Sequence, residues 1–261
     1  MSNLRKPKFL ILRGDGINCE NETAWALQSV GAETQKIHIN DLLENSAQLN
    51  KFQALVIPGG FSFGDELGSG QILALKLRHG LGDSLSEFMH RGKPILGICN
   101  GFQVLVKLGL LPFAEKERVM SLDYNASGAF IDCWPSLNVD TKSICKWTLL
   151  CRPSENGNHP DGDFRLPVRH GEGRVVFKEG LQEKIYQTLI KNGQIPLTYK
   201  ENINGSYANI AAVCDESGLI LGMMPHPEAN VLNVQAGPAG QDLFASSHGQ
   251  QIFQSIMHYL Q

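Results

Sequence analysis

Pro94-Ile95-Leu96-Gly97-Ile98-Cys99-Asn100-Gly101-Phe102-Gln103 is the stretch on which the reading of this chain turns. Residues 95–98 form an apolar run of strand length, and residues 101–108 have helical patterning closed by Gly109, with Pro112 beyond. Cys99 therefore stands on a strand-to-helix corner with glycine at both second neighbours. That is the pattern of a nucleophile elbow, a turn too sharp for Cβ atoms on either side. A sulfur at this corner meets the free N–H groups and positive dipole end of the helix, both of which favour thiolate. A cysteine packed into the core as structure is the alternative, and the paired glycines weigh against it.

Upstream, residues 9–12 read as a strand, followed by the turn Gly14-Asp15-Gly16-Ile17-Asn18 and a helix over 22–30 stopped by Gly31. Residues 34–39 read as a second strand, and 41–49 as a helix capped by Asn40 or Asp41. Residues 54–57, Ala-Leu-Val-Ile, are wholly apolar and read as a central strand. Strands alternating with helices predict an α/β fold with a doubly wound, mostly parallel sheet, whose ligand site lies at the carboxyl ends of the strands. The third strand runs into Pro58-Gly59-Gly60-Phe61-Ser62-Phe63-Gly64-Asp65, so this loop and Cys99 are expected over one sheet edge. A Gly-Gly pair frees backbone N–H groups to face a ligand, either a phosphate or an oxyanion. No Lys-Ser or Lys-Thr follows, which excludes a Walker loop; beside Cys99 the pair is expected to form half of an acyl-transfer site.

Downstream, residues 144–150 are expected to form a strand, and 152–165 a polar, turn-rich surface excursion. Residues 167–177 read as two short strands about a tight turn, 180–192 as an amphipathic helix stopped by Gly193, and 195–199 as a strand. Residues 209–213 and 219–223 read as a hairpin, an antiparallel addition to the sheet, and 241–260 as a helical tail. The hairpin delivers Met224-Pro225-His226-Pro227-Glu228. In extended backbone His226 and Glu228 project to one face, where the carboxylate orients the imidazole for proton transfer. A chance His-Pro-Glu in a surface turn is the alternative, and the presence of Cys99 weighs against it.

Composition adds bounds. At 261 residues with 42% hydrophobic content, 19% charged residues and a net charge of −3, the chain is an ordinary globular protein, read as one domain over 1–261. No basic tract points to nucleic acid, and the apolar stretch after the basic N-terminus is too short for a signal segment or a membrane span. Six scattered cysteines without a Cys-x-x-Cys pair fit reduced thiols in a cytoplasm and argue against a metal site.

Taken together, Pro58-Gly59-Gly60, Gly97-Ile98-Cys99-Asn100-Gly101-Phe102-Gln103 and Pro225-His226-Pro227-Glu228 resemble the class I, or triad, glutamine amidotransferases, a flavodoxin-like family. Gly60-Phe61-Ser62-Phe63-Gly64-Asp65, His170-Gly171-Glu172-Gly173-Arg174 and Leu221-Gly222-Met223 look like the glutaminase subunits of phosphoribosylformylglycinamidine synthase. The resemblance implies Cys99 as nucleophile, His226 oriented by Glu228 as proton carrier, and the N–H groups of Gly60 and Asn100 as oxyanion hole. It further implies that Gln103 helps hold the substrate glutamine. It implies no cofactor on this chain, with ATP and magnesium on a synthetase partner that receives the ammonia, and a small bridging subunit as a candidate third member. Two features depart from the family pattern: Gly14-Asp15-Gly16-Ile17-Asn18-Cys19 stands where Pro-Gly-Ser-Asn-Cys is expected, and Gly68 near an expected arginine. The competing readings are a glutaminase serving another synthetase and a catalytically silent regulatory domain of the same fold.

Overall fold

The computed structural model describes residues 6–114, 117–153, 163–236 and 243–261. In chain order these residues form β1 (Lys8–Arg13), α1 (Glu20–Ser29), β2 (Glu33–His38), α2 (Ile39–Glu44), β3 (Ala54–Ile57), α3 (Gln71–His90), β4 (Ile95–Ile98) and α4 (Asn100–Leu108). There follow β5 (Met120–Tyr124), β6 (Ile131–Cys133), β7 (Ser136–Val139), β8 (Phe164–Arg165), β9 (Val168–His170) and β10 (Glu172–Phe177). The chain closes with α5 (Gln182–Asn192), β11 (Leu197–Tyr199), β12 (Ile210–Cys214), β13 (Ile220–Met223) and α6 (His248–Leu260).

Among the described residues one nine-stranded sheet runs in the order β2-β1-β3-β4-β13-β12-β11-β7-β8. The first five strands are parallel and the remaining four pair antiparallel, which is the doubly wound sheet with an antiparallel extension expected from the sequence. Strands β3 and β4 are buried at every position, so both faces are covered and the runs Ala-Leu-Val-Ile and Ile-Leu-Gly-Ile need no alternation. The order reverses between β1 and β3, and crevices in open sheets open at such a reversal. The loops after β1, β3 and β4 all leave the sheet at this end.

Some local expectations fail for tertiary reasons. Residues 144–150 form no strand. Trp147 is fully buried, its indole Nε1 donates to the Leu219 carbonyl at 2.8 Å, and Leu150 N–H bonds the Ser255 hydroxyl of α6 at 2.9 Å. The segment is a 3₁₀ turn wedged between the sheet and α6, and its β-prone residues serve burial rather than pairing. Residues 167–177 hold the two short strands about a tight turn that the sequence leads one to expect; each pairs elsewhere, β9 with β6 and β10 with β5, in separate two-stranded ribbons. The helix expected over 41–49 starts earlier, with the His38 ring accepting from Asn40 N–H, and gives way to a 3₁₀ turn over Ser46–Lys51.

Helix α3 has no counterpart among the sequence expectations, although its buried Leu73, Leu77, Leu81, Leu85 and Phe88 recur at three- and four-residue spacing. Gly80 and Gly82 mask it, since glycine costs about 1 kcal/mol in a helix. A Cβ on Gly80 would lie 2.2 Å from the Leu43 side chain, so the glycine permits the close approach of α2. Of the surface excursion expected over 152–165, residues 154–162 lie outside the described residues, as do residues 241–242 of the expected helical tail; α6 itself starts only at His248.

Candidate active site

The corner at Cys99 has φ 49° and ψ −104°, a conformation rarely adopted by a residue with a side chain. Its neighbours explain how it persists. A Cβ on Gly97 would lie 2.5 Å from the Gly101 carbonyl oxygen, and one on Gly101 would lie 1.9 Å from that of Ile57. Both glycines are therefore steric requirements of the elbow. Cys99 N–H donates to the Met223 carbonyl at 2.7 Å, fixing the corner to the end of β13, and Sγ lies 3.7 Å from the Arg169 carbonyl oxygen.

His226 follows β13, its N–H held by the Pro167 carbonyl at 2.8 Å. The backbone is extended at His226 but not beyond, because Pro227–Ala229 form a 3₁₀ turn. The expectation that alternation along a strand brings His226 and Glu228 to one face is thus corrected: the turn swings the carboxylate back onto the ring. The result is a contact of 2.6 Å between Nδ1 and Oε1, with the two residues only 3% and 1% exposed. Burial disfavours an imidazolium here. Even so, the Glu228 carboxylate and the sulfurs of Cys99 and Cys19 outweigh it and hold the His226 pKa well above its ordinary value. Nε2 makes no aligned hydrogen bond among the described residues, a looseness common in catalytic pairs before substrate arrives.

The glycine pair after β3 lies against this histidine. A Cβ on Gly59 would come within 2.8 Å of His226 Cε1 and 3.5 Å of Cys19 Sγ. Gly60 has φ 145°, pairs in an isolated bridge with Ile17, and has Gly16 carbonyl oxygen where a Cβ would stand, 2.4 Å away. Gly60 N–H donates to no backbone carbonyl among the loop bonds of the described residues, and Asn100, as the first residue of α4, has no partner for its N–H within that helix. Asn100 also joins the two loops through its side chain: Oδ1 accepts from Ser62 N–H at 3.1 Å, and Nδ2 donates to Asp65 at 3.1 Å and to Gln103 Oε1 at 2.9 Å. Gln103 is buried, and its Nε2 donates to the Glu172 carbonyl at 2.6 Å, so its amide is oriented by protein at both ends. Because Gly59 and the ring are in contact, Gly59→Ala must displace His226. The expected outcome is a kcat lower by about 10²-fold, the scale of a 1 Å misplacement, with the thermal midpoint little changed.

Two residues near the site have no role in the motif reading, although His170 opens one of its motifs. Cys19, noted only as the end of a departing loop, is held there by its N–H and that of Asn18, both 3.3 Å from the Gly59 carbonyl. Its sulfur, one ring nitrogen of His226 and one carboxylate oxygen of Glu228 all lie within 4.8 Å of one another. Burial raises the Cys19 pKa, opposed by the neighbouring His226. The signal that could have found it is topological: the loop after β1 borders the switch point. His170 is the second. Asn125 Nδ2 donates to the carbonyls of Ala129 and His170 at 2.9 and 2.8 Å, so Asn125 Oδ1 must accept from His170 Nδ1 at 3.0 Å. That leaves Nε2 as a buried lone pair with no partner among the described residues.

Burial, aided by the charge of His226, lowers the His170 pKa to about 4. The unfolded chain takes up this proton near pH 6.5 and the folded chain does not, so the folded state loses stability as pH falls from 6.5 toward 4. The full loss is about 3 kcal/mol from this one group. Denaturant midpoints across this range should fall less steeply in His170→Gln than in the wild type.

A cysteine elbow and a carboxylate-backed histidine at the carboxyl edge of such a sheet define a glutamine amidotransferase. Consistent with this, residues 6–260 match the model of the CobB/CobQ-like glutamine amidotransferase domain. The PurQ subunit of phosphoribosylformylglycinamidine synthase from Methanococcus maripaludis strain S2 is 40% identical over 243 residues, covering 87% of this chain and 84% of its own. The corresponding subunit from Archaeoglobus fulgidus is 35% identical, with 97% of each chain covered. In the structure of PurLQS from Thermotoga maritima, one chain superposes with a TM-score of 0.73 at 31% identity, covering 98% of this chain and all of that one. The chain belongs to the PurQ family of phosphoribosylformylglycinamidine synthase subunits.

Proposed function

We propose that this chain hydrolyses glutamine through a thioester on Cys99 and hands the ammonia to an ATP-dependent synthetase subunit, which makes phosphoribosylformylglycinamidine from phosphoribosylformylglycinamide. The observation that carries the proposal is the Cys99 sulfur at a helix N-terminus, beside an imidazole whose Nδ1 is bound to the Glu228 carboxylate at 2.6 Å. Cys99 attacks the side-chain amide carbon. The oxyanion is received by the N–H groups of Gly60 and Asn100, each contributing about 2.7 to 4 kcal/mol on the scale of other oxyanion holes. His226 protonates the departing nitrogen, which leaves as ammonia, and then takes a proton from the water that cleaves the thioester. Glu228 holds the tautomer and stabilises the imidazolium that forms in both half-reactions. Gln103, its amide fixed by Asn100 and Glu172, positions the glutamine.

The proposed partner is the synthetase subunit, with a small bridging subunit as a further member of the complex. ATP and magnesium belong to the synthetase, and the hydrolysis itself needs no cofactor on this chain. No helix among the described residues is long and apolar enough to cross a membrane. A purine-building complex of this kind works in the cytoplasm. The test is covalent labelling of the assembled complex with a glutamine-analogue electrophile, followed by peptide mass analysis. One adduct on Cys99, blocked by glutamine, is expected; an adduct on another cysteine with Cys99 untouched would overturn the assignment.

A further inference from the structure

We infer that Cys19, His226 and Glu228 form a binding site for a thiophilic divalent cation of the zinc class, and that its occupancy switches glutamine hydrolysis off. One sulfur, one ring nitrogen and one carboxylate oxygen lie within 4.8 Å of one another, the one group of metal-ligand type found among the described residues. A tetrahedral zinc site has ligand-to-ligand edges of roughly 3.3 to 3.7 Å, given metal-ligand bonds of about 2.0 to 2.3 Å. Closing the present triangle onto a cation therefore asks its longest edge to shorten by up to about 1 Å, and the 2.6 Å contact of Nδ1 with Glu228 to open where that nitrogen is the ligand.

A second observation points to the same place. Glu228 is 1% exposed, and its Oε2 is a buried oxygen with no hydrogen-bond partner among the described residues. An orphaned carboxylate oxygen is costly unless something positive comes to it. Cys19 and Glu228 also line a solvent-open cleft of about 670 Å³, which provides an entry path. Glu22 and Asp132 stand on its walls against the single guanidinium of Arg169, so the mouth favours a cation on balance.

The donor set decides which cation. Thiolate with imidazole selects zinc and its congeners, whereas magnesium requires oxygen ligands and keeps its water. On binding, the Cys19 thiol and the His226 imidazolium each release a proton to solvent, and the cation then occupies a nitrogen or carboxylate that His226 and Glu228 need for proton transfer. The binding claim is independent of the hydrolysis proposed above; only the inhibition rests on that reading.

The test titrates cobalt(II) into the full chain, following the sulfur-to-cobalt charge-transfer absorbance, and measures zinc by displacement. Cys99→Ala should bind as tightly as the wild type. Cys19→Ser and Cys19→Ala should lose the band and weaken zinc by at least about a hundredfold, since even outer-shell partners of a metal are worth up to that much. In the assembled complex, zinc should inhibit glutamine-dependent turnover while magnesium does not. The Cys19→Ser complex, scored against its own metal-free rate, should resist. Absence of the band in the wild type, its persistence in both Cys19 variants, or its loss in Cys99→Ala would overturn the site. Binding without inhibition would overturn the switch. Should one Cys19 variant fail to fold, the other carries the test, and retention of the band in Cys99→Ala excludes the nucleophile's sulfur as its source.

Discussion

Cys99→Ala should abolish glutamine-dependent turnover in the assembled complex, by a factor on the order of 10⁴ or more, while turnover supplied with free ammonium stays near the wild-type rate. The split follows from what Cys99 contributes. Its backbone holds the elbow, through the bond from its N–H to the Met223 carbonyl, and alanine makes that bond equally well. Its sulfur alone supplies the nucleophile. Stability should therefore change by no more than about 1 kcal/mol, because Cβ and its packing are retained. Equal loss of the ammonium-dependent reaction would instead make Cys99 a structural residue.

Glu228→Gln should cost about 10⁴-fold in kcat, the scale on which an amide in place of a triad carboxylate leaves the imidazole in the wrong tautomer. Shape is almost unchanged, so the loss reports electrostatics rather than packing. The same substitution has a pH signature. In the wild type the His226 pKa is raised, mainly by Glu228 acting against burial. The charged pair thus stabilises the fold fully below the ordinary histidine value near 6.5 and loses that contribution as pH rises through the folded pKa. With glutamine at 228, burial prevails and the imidazole turns neutral at lower pH. Melting curves across alkaline pH should lose their His226-dependent decline, and the residual activity should have its histidine-governed limb shifted to lower pH. A variant with unaltered pH dependence would show that the 2.6 Å contact carries no charge coupling.

Much of this is readable from local letters because the physics is local. Gly97 and Gly101 are forced by the sterics of one corner, and the apolar runs of β3 and β4 follow from burial on both faces. Gly193 ends α5 in a left-handed conformation, as glycine after a helix commonly does. The antiparallel pair β12 and β13 is announced by the turn residues between its strands.

What the letters alone determine, then, is the set of elements and the chemistry each one carries: a sulfur at an elbow, an imidazole with an acid two places on, and two glycines after a buried strand. Only the tertiary structure decides with whom they stand. Whether Ile144 to Leu150 pairs or wedges depends on Leu219 and Ser255, at long sequence separations. That β9 seeks β6 rather than β10 is likewise a matter of distant partners. The 3₁₀ turn that brings Glu228 onto His226, the arrival of Cys19 beside them, and the tautomer of His170 imposed by Asn125 are all consequences of packing. Periodicity and glycine sterics are properties of neighbours in the chain, whereas hydrogen-bond partners, desolvation and charge coupling belong to neighbours in space.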